Sequence, residues 1–283
     1  MLFSSRTPLA PRLEPVAASA IGDWARCSVR YKLEHVDGRR PDNPRAVAAI
    51  RADGTAFHDR RDRDLRRTAH AQRLATVLLY VGAGGLALML LLGTVSCSAA
   101  GLSEAGSWAG ALSAGLVVLA LALFRLAAFA RDRASIPRGL RLVSSDMGPN
   151  RTRTLRDPRH GLVGRPDWVF RRRVGLASRL VVAELKSRPA PRRPLDSHVL
   201  QTAAGIMLLV ANHGRRASRT GYLIYADRSF PVTLDDGLRA EVLHAADQIR
   251  ALRAGAAPVR NHSSRRRCEA CPFASRCPLS LAA

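Results

Sequence analysis

Two long runs without charge break the alternation of hydrophobic and polar positions along the chain. Residues 75–96 form the first run of 22 residues. As a helix with ~1.5 Å rise per residue, it would extend ~33 Å, enough to cross the hydrocarbon core of a bilayer. Residues 108–124 form the second uncharged run, and the apolar segment continues through Arg125 to residue 130. The connector at residues 97–107 carries Glu104 as its single charge. The pattern predicts a transmembrane helical hairpin; a pair of buried core helices is the alternative.

Arginines flank both apolar runs, and the connector has none. Those before the first run are Arg60, Arg61, Arg63, Arg66, Arg67 and Arg73, and those after the second are Arg131, Arg133, Arg138 and Arg141. The positive-inside rule therefore places both soluble parts in the cytoplasm. The first 70 residues lack the continuous apolar segment of a cleavable signal peptide. We expect a multi-pass protein of a bacterial or archaeal cell membrane.

Outside the hairpin, helical and strand-like segments alternate. Residues 16–33 have helical spacing, and a helix from about residue 44 continues into the first apolar run. The later segments are strands at 138–143, 160–170 (turn plus strand), 180–186 and 221–226, and helices at 197–212 and 238–254. This order predicts an α/β fold. The expected parts are an N-terminal helical part (1–70), the hairpin (71–135), a core (136–256) and a Cys-rich end (257–283).

The charge of the chain points to a polyanionic partner. Lys and Arg number 45 against 22 Asp and Glu, a formal net charge of +23, and only Lys32 and Lys186 are lysines. An apolar fraction of 47% excludes a disordered polybasic tail. An excess of this size on a folded chain predicts contact with nucleic acid first and an anionic membrane surface second.

The triplet Glu184-Leu185-Lys186 is the first candidate for chemistry. On a strand, positions i and i+2 point to the same face, so the carboxylate and the ammonium group stand side by side. Such a pair suits phosphodiester hydrolysis, with the Glu on a divalent metal and the Lys holding the water or the phosphate. A solvated surface ion pair is the alternative interpretation.

Three further residues extend this candidate site. Asp167 follows Pro166 at the mouth of the preceding strand, and two carboxylates on adjacent strands can share a hard cation. His58 lies four residues after Gly54 on a helix, and Gln201 lies on the helix after the Pro-rich loop. The alternatives are turn chemistry for Asp167, a solvent-facing side chain for His58, and a good helix former for Gln201.

Four of the five cysteines suggest a metal centre. Cys268, Cys271 and Cys277 are closely spaced, and Cys27 is the candidate for a fourth thiolate. Zinc and an iron–sulfur cluster both accept four thiolates, so the spacing leaves both open. Cys97 is interpreted as an apolar filler at the end of the first span.

Taken in order, the GxxxH, GxxD and ExK segments and the following helical Gln resemble the RecB-like branch of the PD-(D/E)XK nuclease superfamily. The resemblance implies a restriction-endonuclease-like mixed sheet flanked by helices. It also implies that Mg²⁺ or Mn²⁺ is bound by His58, Asp167, Glu184 and the Leu185 carbonyl, with Lys186 and Gln201 completing the catalytic set. The Q-x-x-x-Y pattern is half matched, because Gly205 stands in place of the tyrosine.

The cysteine arrangement is similar to that of the CRISPR-associated RecB-like exonucleases ("Cas four") and of iron–sulfur nucleases of recombinational repair. This resemblance implies that Cys27, Cys268, Cys271 and Cys277 hold a [4Fe–4S] cluster. It also implies an exonuclease acting on single-stranded DNA or DNA ends, here with an inserted membrane hairpin. The alternative function is a non-catalytic, membrane-tethered nucleic-acid-binding protein with a structural zinc site.

Overall fold

The chain divides into two units, one formed by Met1–Asp59 and Arg138–Ala283 and the other by Arg60–Pro137. The structure is a computed structural model that describes residues 13–95, 103–146, 151–175 and 177–282. Cys97 and most of the connector between the apolar runs lie outside the described residues.

The N-terminal helical segment of the first unit is interrupted at Cys27. After a short strand β1 (Val16–Ala17), helix α1 covers Ala18–Arg26, α2 covers Ser28–Tyr31, and a π-helical turn covers Lys32–Val36. Cys27 itself is extended (φ −169°, ψ 116°). The single helix predicted over residues 16–33 is therefore two helices with a break.

The side-chain amide of Asn261 occupies this break. Its Oδ1 accepts a hydrogen bond from the Ser28 backbone N–H (3.1 Å), and its Nδ2 donates to the Trp24 carbonyl (2.8 Å). In a continuous helix these two backbone groups would bond to each other. The break is thus caused by a partner more than 230 residues away in sequence, which no local pattern could indicate.

A five-stranded mixed sheet forms the centre of the first unit. The strands, in spatial order, are β2 (Leu140–Ser145), β5 (Trp168–Val174), β6 (Ala177–Leu185), β7 (Thr220–Ile224) and β8 (Ser229–Thr233). The β6–β7 pair is parallel and the others are antiparallel. A second sheet of β1, β4 (Leu162–Gly164) and β3 (Leu155–Asp157) lies in the order β1-β4-β3.

Helices cover the central sheet and complete the core. Helix α5 (Asp196–His213) packs against α1, β6 and β7, and α6 (Asp236–Arg253) packs against α1 and α5. Gly22 permits the close approach of α1 to α5, because a Cβ there would lie 3.0 Å from Gln201 Oε1. Short helices cover Arg265–Glu269 (α7) and, as a 3₁₀ turn, Ala274–Arg276. The predicted mixed α/β architecture is confirmed.

Several strand boundaries differ from those predicted. The strand expected at 138–143 lies at Leu140–Ser145, and the strand expected within 160–170 is two strands, β4 and β5. Strand β8 was not predicted, because Pro231 within it is typical of loops. Since β8 is at the edge of the sheet, a proline is tolerated there.

The two long apolar helices account for most of the second unit. Helix α3 covers Pro44–Val95 without a break, as predicted, and α4 covers Ser103–Arg133. Both are long and apolar enough to cross a membrane, with a mean hydropathy of 2.2 in their most apolar stretches. Only 11% and 17% of those stretches are buried. Core helices of a soluble protein would be mostly buried.

Candidate active site

Strands β5 and β6 bring Asp167 and Glu184 to the same end of the sheet. Asp167 directly precedes β5, and the antiparallel register pairs Trp168 with Ala183, so Asp167 lies opposite the Glu184 end of β6. The Asp167 Oδ2 atom accepts a hydrogen bond of 2.7 Å from the Leu185 backbone N–H. The carboxylate is thereby bound to the backbone of Leu185, the residue between Glu184 and Lys186 in sequence.

Glu184, Lys186 and Gln201 form a closed ring of hydrogen bonds. The Lys186 Nζ atom lies 2.9 Å from both Glu184 Oε1 and Gln201 Oε1, and Gln201 Nε2 donates to Glu184 Oε1 at 2.5 Å. Glu184 is buried, so this pair is not a solvated surface ion pair. Burial opposes the charge on Lys186, but the Glu184 carboxylate outweighs it and raises the pKa of the ammonium group.

His58, Asp146 and Asp167 form a group with the composition of a metal site. One candidate ligand atom from each lies within 4.8 Å of the other two. His58 Nδ1 is 3.9 Å from Asp167 Oδ1, and the Asp146 backbone N–H donates to the Asp167 carbonyl at 2.9 Å. Glu184 is not one of these three residues; its Oε1 accepts hydrogen bonds from Lys186 and Gln201.

The sequence analysis missed Asp146. It directly follows β2, and the pairing of Ser145 with Trp168 places it beside Asp167. The available signal was a carboxylate immediately after an alternating strand, but the strand was predicted to end at residue 143, two residues before its actual end at Ser145. With the correct strand end, Asp146 would have met the same criterion as Asp167.

The electrostatics of the site favour a cation. Burial, followed by the charge of Glu184, raises the pKa of Asp167 well above its ordinary value, while the Leu185 hydrogen bond acts in the opposite direction. Burial also lowers the pKa of His58, against the effect of Asp146 and Glu184. A lowered pKa favours the neutral imidazole, the form that can bind a metal, and a positive ion would reduce the repulsion between the crowded carboxylates. One nitrogen and several carboxylate oxygens suit Mg²⁺ or Mn²⁺.

One protein family matches most of the chain. The sequence matches the PD-(D/E)XK nuclease superfamily over residues 15–278. The chain belongs to the PD-(D/E)XK nuclease superfamily. Its members are in general phosphodiester hydrolases that use divalent metals, so a nucleic acid is the implied substrate. No curated protein matches the chain significantly.

Pro166-Asp167 and Glu184-Leu185-Lys186 are the segments that the sequence leads us to expect in the PD-(D/E)XK pattern. Gly205 stands where the Q-x-x-x-Y pattern has its tyrosine. It is buried where α5 meets β6, and a Cβ there would lie 3.4 Å from Val182 Cγ1. A cavity of about 70 Å³ beside Gly205, Glu184 and Gln201 is large enough for water.

The four predicted cysteine ligands line one cavity of about 410 Å³. Cys27, Cys268, Cys271 and Cys277 are free thiols, and burial raises the pKa values of Cys271 and Cys277. Val29, Leu33 and Phe273 form a small apolar cluster against three of these thiols. The fold thus brings the N-terminal and C-terminal cysteines together around shared space.

Hydrogen bonds hold the two ends of the chain together around this cavity. The Asp42 backbone N–H donates to the Pro272 carbonyl (2.7 Å), and the Asp42 carboxylate accepts from Ser275 Oγ (2.5 Å) and the Ser275 backbone N–H (3.2 Å). Arg276 Nη1 donates to the Arg40 carbonyl (3.2 Å). The C-terminal segment is therefore positioned by the protein's own polar contacts.

Proposed function

We propose that this protein is a membrane-anchored, divalent-metal-dependent nuclease that degrades single-stranded DNA as an exonuclease. One observation carries the proposal: three candidate ligands, His58, Asp146 and Asp167, converge beside a buried Glu184–Lys186 pair. Structural ion pairs have no need of a neutral imidazole and two further carboxylates at the same strand ends. The high positive charge supports a polyanionic substrate.

Each residue of the site has a separate proposed role. His58, Asp146, Asp167, Glu184 and the Leu185 carbonyl are the proposed holders of the ion. A divalent ion bound there would offset the charge of the phosphodiester and lower the pKa of water. Lys186, fixed by Glu184 and Gln201, directs its ammonium group to the attacking water or to a phosphate oxygen. Gln201 positions Lys186 rather than contacting substrate.

We propose a [4Fe–4S] cluster in the cavity lined by the four thiols. Four thiols from the two ends of the domain line this one cavity, as the ligands of a cluster that binds its thiolates through separate irons would. Zinc also accepts four thiolates, and metal analysis distinguishes the two.

We propose that α3 and α4 span the cell membrane, with the flanking arginines on the cytoplasmic side. Large apolar side chains on these helices are exposed, including Val77, Val81, Leu88, Leu90, Leu112, Val118, Leu121 and Leu126. Soluble proteins rarely expose such contiguous apolar surface, whereas lipid requires it.

Small residues support close packing of the two apolar helices. A Cβ on Gly82 would lie 2.9 Å from the Ser113 carbonyl oxygen, and a Cβ on Gly85 would lie 2.5 Å from Ser113 Oγ. Membrane helices pack through such small residues, because lipid supplies no hydrophobic drive for their association. A larger residue at Gly82 or Gly85 would force these helices apart.

The test is cleavage by full-length protein purified anaerobically in detergent. End-labelled single-stranded DNA, duplex DNA and RNA are incubated with Mg²⁺ or Mn²⁺, using wild type and Glu184→Ala. We expect stepwise shortening of single-stranded DNA by wild type and none by the variant. Equal behaviour of wild type and Glu184→Ala would favour a binding protein without catalysis and overturn the proposal.

A further inference from the structure

The cysteine-lined cavity is also strongly cationic. Among the described residues that line it, none is acidic, whereas six arginines face it: Arg26, Arg30, Arg188, Arg260, Arg266 and Arg267. A doubly positive metal core held by four thiolates retains only two excess negative charges. The proposed cluster therefore does not account for this amount of positive charge.

Four of these arginines are without a partner among the described residues. Arg30 pairs with Glu34 at 3.1 Å, and Arg260 donates to the carbonyls of His262 (2.8 Å) and Leu279 (2.6 Å). The guanidinium groups of the other four, which are exposed, have no hydrogen-bond acceptor or carboxylate within bonding distance in the described part of the chain; they are Arg26, Arg188, Arg266 and Arg267. Unpaired guanidinium groups are suited to phosphate.

Residues that line the cavity are close in sequence to residues of the active site. Arg188 is two residues after Lys186, a chain span of at most ~7 Å. Ser197 and His198 in the first turn of α5 line the cavity, and Gln201, one turn later, holds Lys186. Neighbouring phosphates of one nucleic-acid strand could therefore contact the active site and the arginine-lined cavity at the same time.

The arginines of this cavity come from separate parts of the chain. Arg26 and Arg188 line it together with Ser197, and Arg266 and Arg267 line it from the C-terminal segment. An anion is attracted wherever cationic side chains converge in this way.

We infer that the exposed arginines lining this cavity form a second binding site at its surface, outside the space proposed for the cluster. This site holds the phosphate backbone of the single strand whose end lies in the active site. Arg26 and Arg188 contact the phosphates nearest the metal site, and Arg266 and Arg267 contact those farther along. This inference rests on the proposed nuclease function. It adds the residues that would hold the strand while its end is cleaved.

The test measures binding of a fluorescent single-stranded DNA to the full-length protein across a salt titration. The double variant Arg26→Ala/Arg188→Ala loses two phosphate contacts, so the slope of log K against log salt should become shallower by about 1.4. The KM for strand cleavage should rise while kcat stays unchanged. Arg266→Ala/Arg267→Ala should change the slope similarly, and Arg26→Lys/Arg188→Lys should restore it, because lysine keeps the charge.

A matched control removes the same charge elsewhere. Arg173 and Arg179 are exposed on the β5–β6 hairpin, and Arg179 lies five residues, about 17 Å, before Glu184 along the strand. Arg173→Ala/Arg179→Ala should leave the slope unchanged. Suppose that wild type cleaves DNA, but Arg26→Ala/Arg188→Ala and the control Arg173→Ala/Arg179→Ala either change the salt slope equally or both leave it unchanged. That result would overturn this inference alone. A wild type that neither binds nor cleaves would overturn the nuclease proposal as well.

Discussion

The Asp167 carboxylate accepts a hydrogen bond of 2.7 Å from the backbone N–H of Leu185. Leu185 lies between Glu184 and Lys186 in sequence, so this bond joins the start of β5 to the end of β6 at the candidate active site. A backbone donor cannot rotate away as a side chain can. The acid is thus held with one oxygen bonded and the other, Oδ1, facing His58.

Asp146 should contribute to metal binding. Asp146→Asn removes a negative charge from the group with His58 and Asp167 but keeps the size of the side chain. We expect Mn²⁺ affinity, measured by electron paramagnetic resonance, to fall by at least about tenfold. That is the smallest loss of affinity typical when a residue that only supports a metal ligand is removed. Asp236→Asn is the control, since Asp236 is 95% exposed at the start of α6. Equal Mn²⁺ affinity for both variants would exclude Asp146 from the site.

Gln201 should act through Lys186. Gln201→Ala removes the acceptor of one Lys186 hydrogen bond and a donor to Glu184. We expect kcat to fall about 10–100-fold with little change in KM, the usual cost of removing a group that orients another. Kinetics of single-strand cleavage measure both constants. A rise in KM at constant kcat would instead indicate that Gln201 contacts the substrate.

Substitutions of Cys27 and Cys97 should affect the iron content of the protein differently. Cys27→Ser is expected to abolish or greatly reduce iron content and the broad visible absorption band, because one of four thiolates is lost. Cys97→Ser should leave both unchanged. Iron, sulfide and zinc analysis of anaerobically purified protein is the measurement. A colourless wild type with one zinc per chain would contradict the cluster.

His198 should make stability depend on pH. Burial, followed by the charges of Lys186, Arg188 and Arg26, lowers the pKa of His198 to about 3, and its Nδ1 lies 2.9 Å from the Tyr225 hydroxyl. Unfolded histidine has a pKa of about 6.5, so between these values the unfolded chain binds more protons. The contribution of His198 to the free energy of unfolding is therefore fully present above about pH 6.5 and is lost as the pH falls towards 3.

This loss is measurable as a thermal midpoint. The Tm of wild type should fall more than that of His198→Asn between pH 7 and pH 5, because asparagine does not titrate. His213→Asn, an exposed position at the end of α5, should follow wild type. Parallel curves for wild type and His198→Asn would refute the assignment.

Local patterns predicted the part of the site that depends on single strands and turns. The i, i+2 geometry of Glu184 and Lys186 follows from strand alternation, and the helix carrying Gln201 follows from its apolar spacing. Asp146 was missed because β2 was predicted to end at residue 143, and its position beside Asp167 depends further on the β2–β5 register, which pairs Ser145 with Trp168. The break at Cys27 depends on Asn261, far away in sequence. Such long-range partners leave no mark in a local window.

The central claim is tested most directly by cleavage of end-labelled single-stranded DNA by wild type and Asp167→Asn at increasing Mn²⁺. Asparagine can still accept the Leu185 hydrogen bond through its side-chain oxygen, so the fold is kept while the charge is lost. We predict that wild type cleaves only with the ion present and that the variant loses at least about a hundredfold in rate, more than an outer partner typically costs. A wild type inactive with every divalent cation, or a variant as active as wild type, would contradict the account.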